Sequence, residues 1–397
     1  MLDQARSTEI VDLAAQLLPY VQQVMRVQDF TAGPGKGGYL ARFRGELILP
    51  PDAAYARLSG VFEAQGVQLL SRGEGEHQVL YAVDALPSVR PSNPWINLAL
   101  FALTVFSMLM AGALYGYSGP PQLAGVLRAL PSGIPFAASL LSILLAHEFG
   151  HYLAAQAHRS PVSLPYFLPF PGSAFGTLGA FIRLKRPPRN RNVLLDIGLA
   201  GPLAGLVVAI PVLLYGLSVS QVGPLPSDPA ALGGLEGNSI LYLAAKWLVT
   251  GAWLPTPMSY GGAPAVLYWL RYIAVGQPLP LGGTDVFLSP IAWAGWAGLL
   301  VTALNLIPAG QLDGGHLVYV LLGERAIRLW PFTVAATLLL GLVWPGWFLW
   351  AAMLFLLGRV YATPLDDLTP LTPGRKALAI LGIVLFFLLL TPVPLRA

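Results

Sequence analysis

From about residue 95 onward, apolar residues run in stretches long enough to cross a bilayer, whereas the first 90 residues mix polar and apolar positions on short periods. Near the start, Ile10, Leu13, Leu17, Val21 and Val24 fall at helical spacing, with Pro19 placed to kink or restart that helix. After the glycine-rich AGPGKGG, the segment YLARFRGEL alternates Tyr39, Ala41 and Phe43 with Leu40, Arg42 and Arg44, a strand pattern. A helix follows PPD, carrying Tyr55, Leu58, Val61 and Phe62, and stops near Gly66. VQLLS and HQVLYAV then read as two short strands, with His77 a lone strand histidine. Residues 1–92 are therefore expected to form a small N-terminal α+β soluble domain.

Beyond the linker DALPSVRPSNP, apolar runs predict spans at about 95–117, 132–157, 193–217, 287–308, 327–343, 346–360 and 376–392. The expected fold class is an α-helical polytopic membrane protein of about six to seven transmembrane helices, with 93–397 as the membrane domain. Composition agrees: of 397 residues 55% are hydrophobic and 11% charged, where a soluble domain carries about a quarter charged. The third span contains DIGLAGPLAG, in which Gly198, Gly201 and Gly205, with Ala200 and Ala204, give a small-residue face for close helix packing.

Charge sets the orientation. Arg183, Lys185, Arg186, Arg189 and Arg191 cluster between the second and third spans, which places that loop on the cytoplasmic side by the positive-inside rule. The N-terminus MLDQARSTEIVDLAAQ is charged and amphipathic rather than signal-like, so it is expected on the same side, in the cell membrane of a bacterium. The segment 218–286 has only Lys246 and Arg271 as basic residues and many Gly and Pro, and reads as extracytoplasmic. Within it SILYLAAKWLVTGAW reads as an interfacial helix, while AVLYWLRYIAV is too short to assign to the membrane.

The chemistry lies in LLAHEFGHYLAA of the second span. His147 and His151, at i and i+4, project from one helical face at the spacing that grips one Zn²⁺, and Glu148 can act as general base on a metal-bound water. The plain alternative, two core histidines beside a buried acid, is costly in a membrane span unless those groups are paired, metal-bound or facing a polar cavity. The chain has no cysteine, so any further ligand must be His or a carboxylate. Pro308 and Gly310 break the fourth span in LNLIPAGQLDGGH and present Asp313 at the depth of the two histidines, as third ligand. Asp196, Asp285 and Glu324 are the other candidates; Asp196 lies beside arginines, Asp285 on the outer side and Glu324 a helical turn further on. Asn305 can donate a hydrogen bond to a developing oxyanion, or cap broken backbone, and His316 is a further group nearby.

Residues 158–192 are mixed. Their Pro-rich half excludes a regular helix, and FGTLGAFIRLK, with Gly176 and Gly179, forms an extended edge or hairpin. Such an edge can hold an extended substrate by strand addition, or simply connect two spans.

HEFGH in a span, FGTLGAFIRLK, DIGLAGPLAG and NLIPAGQLDGGH, in this order, resemble the site-2 protease family of intramembrane zinc metalloproteases, most like the branch of plant chloroplast and cyanobacterial members. The resemblance covers a catalytic core of about 130–325. It implies His147, His151 and Asp313 as ligands of one Zn²⁺, Glu148 as catalytic base, Asn305 as a further catalytic group, and membrane-embedded β-structure at about 163–184 that engages substrate. Two features depart from relatives: no PDZ-like insertion or tandem nucleotide-sensing domains are evident, and the family's Asn-Pro is Asn305-Leu306 here, with proline at 308.

The expected activity is intramembrane proteolysis of single-span membrane proteins, type II by resemblance, with the lipid bilayer as the other partner, no nucleic acid, and the oligomeric state open. A membrane protease with a glutamate third ligand lacks its second glutamate motif here, and a transporter lacks its internal repeats. A catalytically inactive zinc-binding scaffold or chaperone predicts loss of one of the four groups, and all are present.

Overall fold

The computed structural model describes residues 2–33, 38–89, 91–115, 117, 119, 123–229 and 234–396; the middle of the AGPGKGG loop and Arg90 of the linker lie outside them. The chain opens with α1 (Leu2–Gln22), β1 (Met25–Ala32), β2 (Tyr39–Leu47), α2 (Pro51–Ala64), β3 (Val67–Glu74) and β4 (His77–Asp84). The strands form one antiparallel sheet in the order β1-β2-β4-β3. Leu17 and Val21 of α1, Leu58 and Phe62 of α2, and Phe43, Leu69 and Leu80 of the sheet make a core of their own. Two details differ from the sequence reading. Pro19 sits inside α1 without restarting it, and Met25–Ala32 is a strand that its polar content hides. Only Met25 of that strand is fully buried, because it forms the sheet edge.

The membrane part begins with α3 (Pro94–Tyr115), α4 (Leu123–Ala129) and α5 (Ile134–Ala157). It continues with the hairpin β5 (Tyr166–Pro169) and β6 (Thr177–Phe181), then α6 (Arg191–Ser218). On the far side lie β7 (Gln221–Pro224), β8 (Leu235–Glu236), α7 (Ile240–Thr250), α8 (Ala265–Val275) and β9 (Thr284–Phe287). The chain then forms α9 (Pro290–Asn305), α10 (Asp313–Leu322), α11 (Trp330–Gly341), α12 (Gly346–Leu357), α13 (Pro373–Leu389) and β10 (Leu395–Arg396). Among the described residues three helical segments are long and apolar enough to cross a membrane: Pro94–Tyr115, Ala124–Ala157 and Arg191–Ser218. The protein is thus a mostly helical membrane protein. The runs at 327–343 and 346–360 fold differently from two full spans. A 3₁₀ segment, Gly323–Leu329, takes the start of the first, and what remains is a pair of 12-residue helices. At 1.5 Å per residue each is about 18 Å long, well short of a hydrocarbon core of about 30 Å.

α5, α6 and α9 pack against one another as the centre of this part, closely enough that several glycines have no room for a side chain. A Cβ at Gly150 would lie 2.6 Å from the Ala200 carbonyl oxygen, and one at Gly298 2.8 Å from Ile143. On the far side, α7 turns Lys246 fully inward, where Nζ lies 3.6 Å from Glu236 and 3.5 Å from Asp285. Burial pushes the Glu236 carboxyl above its ordinary value. β10 pairs with β8, which ties the segment after α13 to the same side as the connections that follow α6.

The N-terminal sheet is fastened to the membrane part by the segment between α12 and α13. Residues 364–367 lie between β3 and the start of α6: Ser71 and Asp366 form one parallel bridge, Asn190 and Asp366 another. Asp366 is buried and accepts from Ser71 Oγ at 2.5 Å and from the Leu368 and Thr369 amides at 3.1 and 3.3 Å. Arg191 clasps Asp367 with two hydrogen bonds, of 2.7 and 2.9 Å. Replacing Asp366 with alanine strands these donors, a loss of about 1.5–3 kcal/mol for a hydrogen-bonded charged group. In Asp366→Ala, protease cutting within the linker 85–93 should accelerate about tenfold or more over wild type, read by limited proteolysis in detergent.

Candidate metal centre

α5 is an apolar helix, and the i, i+4 spacing brings two imidazoles to one side of it. His147 Nε2 and His151 Nε2 stand 3.2 Å apart. His151 Nδ1 donates to the Ile197 carbonyl of α6 at 2.7 Å. A carbonyl only accepts, so Nδ1 holds a proton and the ring is turned with Nε2 toward His147. Asp313 comes from the opposite side, its two carboxylate oxygens 3.3 Å from His147 Nε2 and 3.3 Å from His151 Nε2. The three donor atoms all lie within 4.8 Å of one another, and all three residues are buried. Ring nitrogens facing each other beside a carboxylate need a proton or a cation among them. Two nitrogens and one oxygen suit Zn²⁺ and leave a fourth position of its tetrahedron to water or substrate.

Asp313 reaches this place because α9 stops at Asn305. The chain turns through 306–312, with Pro308 inside the turn and Gly310 at φ +57°, and α10 restarts at Asp313 itself. Gly310 is required twice over: its backbone is left-handed, and a Cβ there would lie 2.7 Å from Gly358 Cα. The break falls after Asn305-Leu306 without a proline at 306, and Asn305 Nδ2 still donates to His147 Nε2 at 3.2 Å. Glu148, beside His147 on α5, is 3% exposed, and its Oε2 has no hydrogen-bond partner. A buried carboxylate oxygen left unpaired is costly unless a water or ligand completes it.

The small face of α6 lies directly against these groups. A Cβ at Gly201 would overlap the His151 ring, one at Gly205 would approach His147 Nδ1 to 3.2 Å, and one at Gly198 would lie 3.0 Å from His316 Cβ. Together the groups line a cavity of about 160 Å³ walled by Ala180, Phe181 and Ile182 on one side and by Asn305, Gln311 and His316 on another. Among the described residues β6 pairs with β5 alone, and the residues at and just beyond its end border the cavity.

The other acids are occupied elsewhere. Asp196 receives two hydrogen bonds from Arg375, at 2.8 and 2.6 Å, and lies 2.8 Å from His158 Nε2. Asp285 faces Lys246, and Glu324 is exposed. His77 opens β4 in the N-terminal sheet, far along the chain from these groups. His316 joins the cavity wall, its Nδ1 buried and unpartnered. Sequence reasoning missed the Ile197 carbonyl that orients His151, since a main-chain acceptor leaves no residue signature, and it missed Gln311. In Gly201→Ala the added methyl must displace the His151 ring. Zinc affinity should fall about 10- to 100-fold, read by metal titration, while Gly205→Ala retains most of it.

Residues 135–343, more than half of the chain, match peptidase family M50. The chain is 31% identical over 280 residues to the probable zinc metalloprotease EGY1, chloroplastic, of Arabidopsis thaliana, covering 69% of this chain and 45% of that protein. It is 29% identical over 374 residues to the probable zinc metalloprotease EGY2, chloroplastic, of Arabidopsis thaliana, covering 91% and 61%. It is 29% identical over 325 residues to the rice (Oryza sativa subsp. japonica) protein likewise described as probable zinc metalloprotease EGY1, chloroplastic, covering 76% and 51%. The chain spans about half the length of these curated relatives, and no solved structure matches it. These relatives are chloroplast proteins, which overturns the expectation of a bacterial cell membrane with its cytoplasmic opening. The physical reason is plain: basic residues mark one side of a membrane without saying which membrane it is. With a group that could hold a metal set among membrane helices and this match over its central half, the chain belongs to peptidase family M50, the zinc metalloproteases of the site-2 type.

Proposed function

We propose that this protein is an intramembrane zinc endopeptidase that cuts the transmembrane segment of single-span membrane proteins, type II in orientation, in a chloroplast membrane. One observation carries the reading: two histidines and an aspartate converge beside an unpaired buried glutamate, within a cavity bordered by the end of β6. His147, His151 and Asp313 are the proposed ligands. Zinc held there supplies a Lewis acid for the scissile carbonyl and lowers the pKa of water. Glu148 takes a proton from the attacking water and returns it to the leaving amine. Asn305 Nδ2, already directed at the site, donates to the oxygen on which charge develops. A substrate helix must unwind before its peptide bond can be reached, and an unwound segment needs new hydrogen-bond partners, which the free edge of β6 offers by strand addition.

In this reading residues 1–92 form a separate module on the basic side and 93–397 the protease. Five helices, α3, α5, α6, α9 and α13, make the crossings, and α11 with α12 dips in and returns. The pairing of β10 with β8 supports an odd number of crossings, since it needs residue 396 opposite the N-terminal sheet. Five or seven satisfy it; six does not.

The activity is tested with a purified single-span reporter. Wild type should cleave it, with one zinc per chain; Glu148→Gln should keep the zinc and lose about 10²–10⁴-fold in rate. Zinc bound without cleavage, across reporters of both orientations, would count against the protease reading. Stripping the metal with a chelator should abolish cleavage, and adding zinc back should restore it. For the topology, cysteines introduced at Glu63 and Arg396 should react with an impermeant thiol reagent from opposite sides of sealed vesicles; labelling of both from one side refutes the odd count.

A further inference from the structure

We propose that a basic groove beside the metal cavity holds an acidic segment of the substrate, where the substrate leaves the membrane on the basic side; this rests on the protease reading above. The groove encloses about 670 Å³ and shares Phe181, Ile182, Leu184, Gln311 and His316 with the metal cavity, so the two form one continuous trough. Arg183, Lys185 and Arg186 line it, and among the described residues no aspartate or glutamate does.

These three cations differ from their neighbours. Arg189 reaches the Asp52 carbonyl and lies over the Tyr55 ring, Arg191 is clasped to Asp367, and Arg375 to Asp196. Each of those ties one part of the fold to another. Arg183, Lys185 and Arg186 form no ion pair among the described residues, and the buried Nε of Arg186 has no hydrogen-bond partner. Lys185 and Arg186 are half-buried, so their charges are only partly screened by water.

The backbone aims them at a bound chain. Ser163 N–H donates to the Arg183 carbonyl, Arg183 N–H donates to Ser163 Oγ, Lys185 N–H donates to the Pro161 carbonyl, and Val162 bridges Leu184. Residues 182–185 thus carry on the line of β6 past the metal site. A substrate strand laid beside β6 runs on along Arg183, Lys185 and Arg186. Arg183, Lys185 and Arg186 follow Ile182 of the cavity wall in the chain, which at about 3.3 Å per residue sets them roughly 3–13 Å beyond it, so the matching carboxylates fall within about six residues of the cleaved bond. Carboxylates there would pair with all three cations. A lipid phosphate shares this chemistry, but the opposite wall is protein, Tyr361, Ala362 and Thr363, and the trough leads to the metal rather than outward, which favours a peptide.

The test uses two single-span reporters that differ only in that segment, one with glutamates and one with lysines, and the full-length protein in detergent. Wild type should cleave the glutamate reporter at least about tenfold better in kcat/KM, with the preference shrinking as salt rises. The triple variant Arg183→Glu, Lys185→Glu, Arg186→Glu should keep its zinc and prefer the lysine reporter. A milder variant, Arg183→Gln with Lys185→Gln, should erase the preference, which guards against a reversal that misfolds. Binding of the two juxtamembrane peptides to Glu148→Gln, by fluorescence anisotropy, asks the same question without catalysis. Charge-selective binding without cleavage of any reporter keeps the groove and removes the protease reading. Cleavage that ignores charge, with peptide binding equally indifferent, overturns the groove and leaves the protease. Peptide preference that vanishes in nanodiscs containing phosphatidylglycerol, with lipid retention lost in the triple variant, makes the groove a lipid site and also overturns the proposal.

Discussion

Two imidazole nitrogens and a carboxylate held about 3.3 Å apart inside a bundle of apolar helices have no water to share their charge and lone pairs with. They must satisfy one another, through a cation or a proton, or the helices that carry them will not stay together. Much of the membrane part can be understood as meeting that requirement. The Ile197 carbonyl fixes the ring of His151, the glycines of α6 let a helix lie flat over both rings, and the interruption between α9 and α10 delivers the carboxylate. Each of these is a backbone device: the carbonyl depends on no particular side chain, whereas the glycines of α6 cannot gain one without moving a ring.

The interruption is the more consequential device. A continuous α9 would carry Asp313 about two turns further along its axis, away from α5. Turning the chain back through Pro308 and Gly310 sets the first residue of the next helix against the histidines, and a helix N-terminus favours the negative charge that arrives there. The proline that relatives of the site-2 type place directly after the asparagine is displaced by two residues here. The asparagine still meets His147, because what matters is where the helix ends and not which residue ends it.

Outside the centre, charges serve as fasteners. Asp367 with Arg191, Asp366 with Ser71, and Asp196 with Arg375 and His158 bind the N-terminal sheet, the loop before α6 and the start of α13 to one another on the basic side. On the other side Lys246 sits between Glu236 and Asp285, linking three segments of a region rich in turns. Beside the metal cavity, by contrast, Arg183, Lys185 and Arg186 line one groove and form no ion pair among the described residues.

The sequence by itself determined what depends on near neighbours. Membrane character, the i, i+4 histidines with Glu148, the small face of α6, the hairpin around FGTLGAFIRLK and the basic loop are all set within a dozen residues, where periodicity and composition act. The break after Asn305 was also legible, through Pro308 and Gly310. Tertiary structure alone decided the rest. The sequence favoured Asp313 over Asp196, Asp285 and Glu324, but the packing of α9 on α5 and of α10 on α6 is what brings it to the histidines while sending Asp196 to Arg375 and Asp285 to Lys246. The strand at 25–32, the short pair α11 and α12, the fastening by 364–367 and the pairing of β10 with β8 were equally hidden. The physical reason is common to them all: hydrogen bonds and ion pairs between residues far apart in the chain are chosen by how the helices pack and where they end, and local pattern carries no record of that choice.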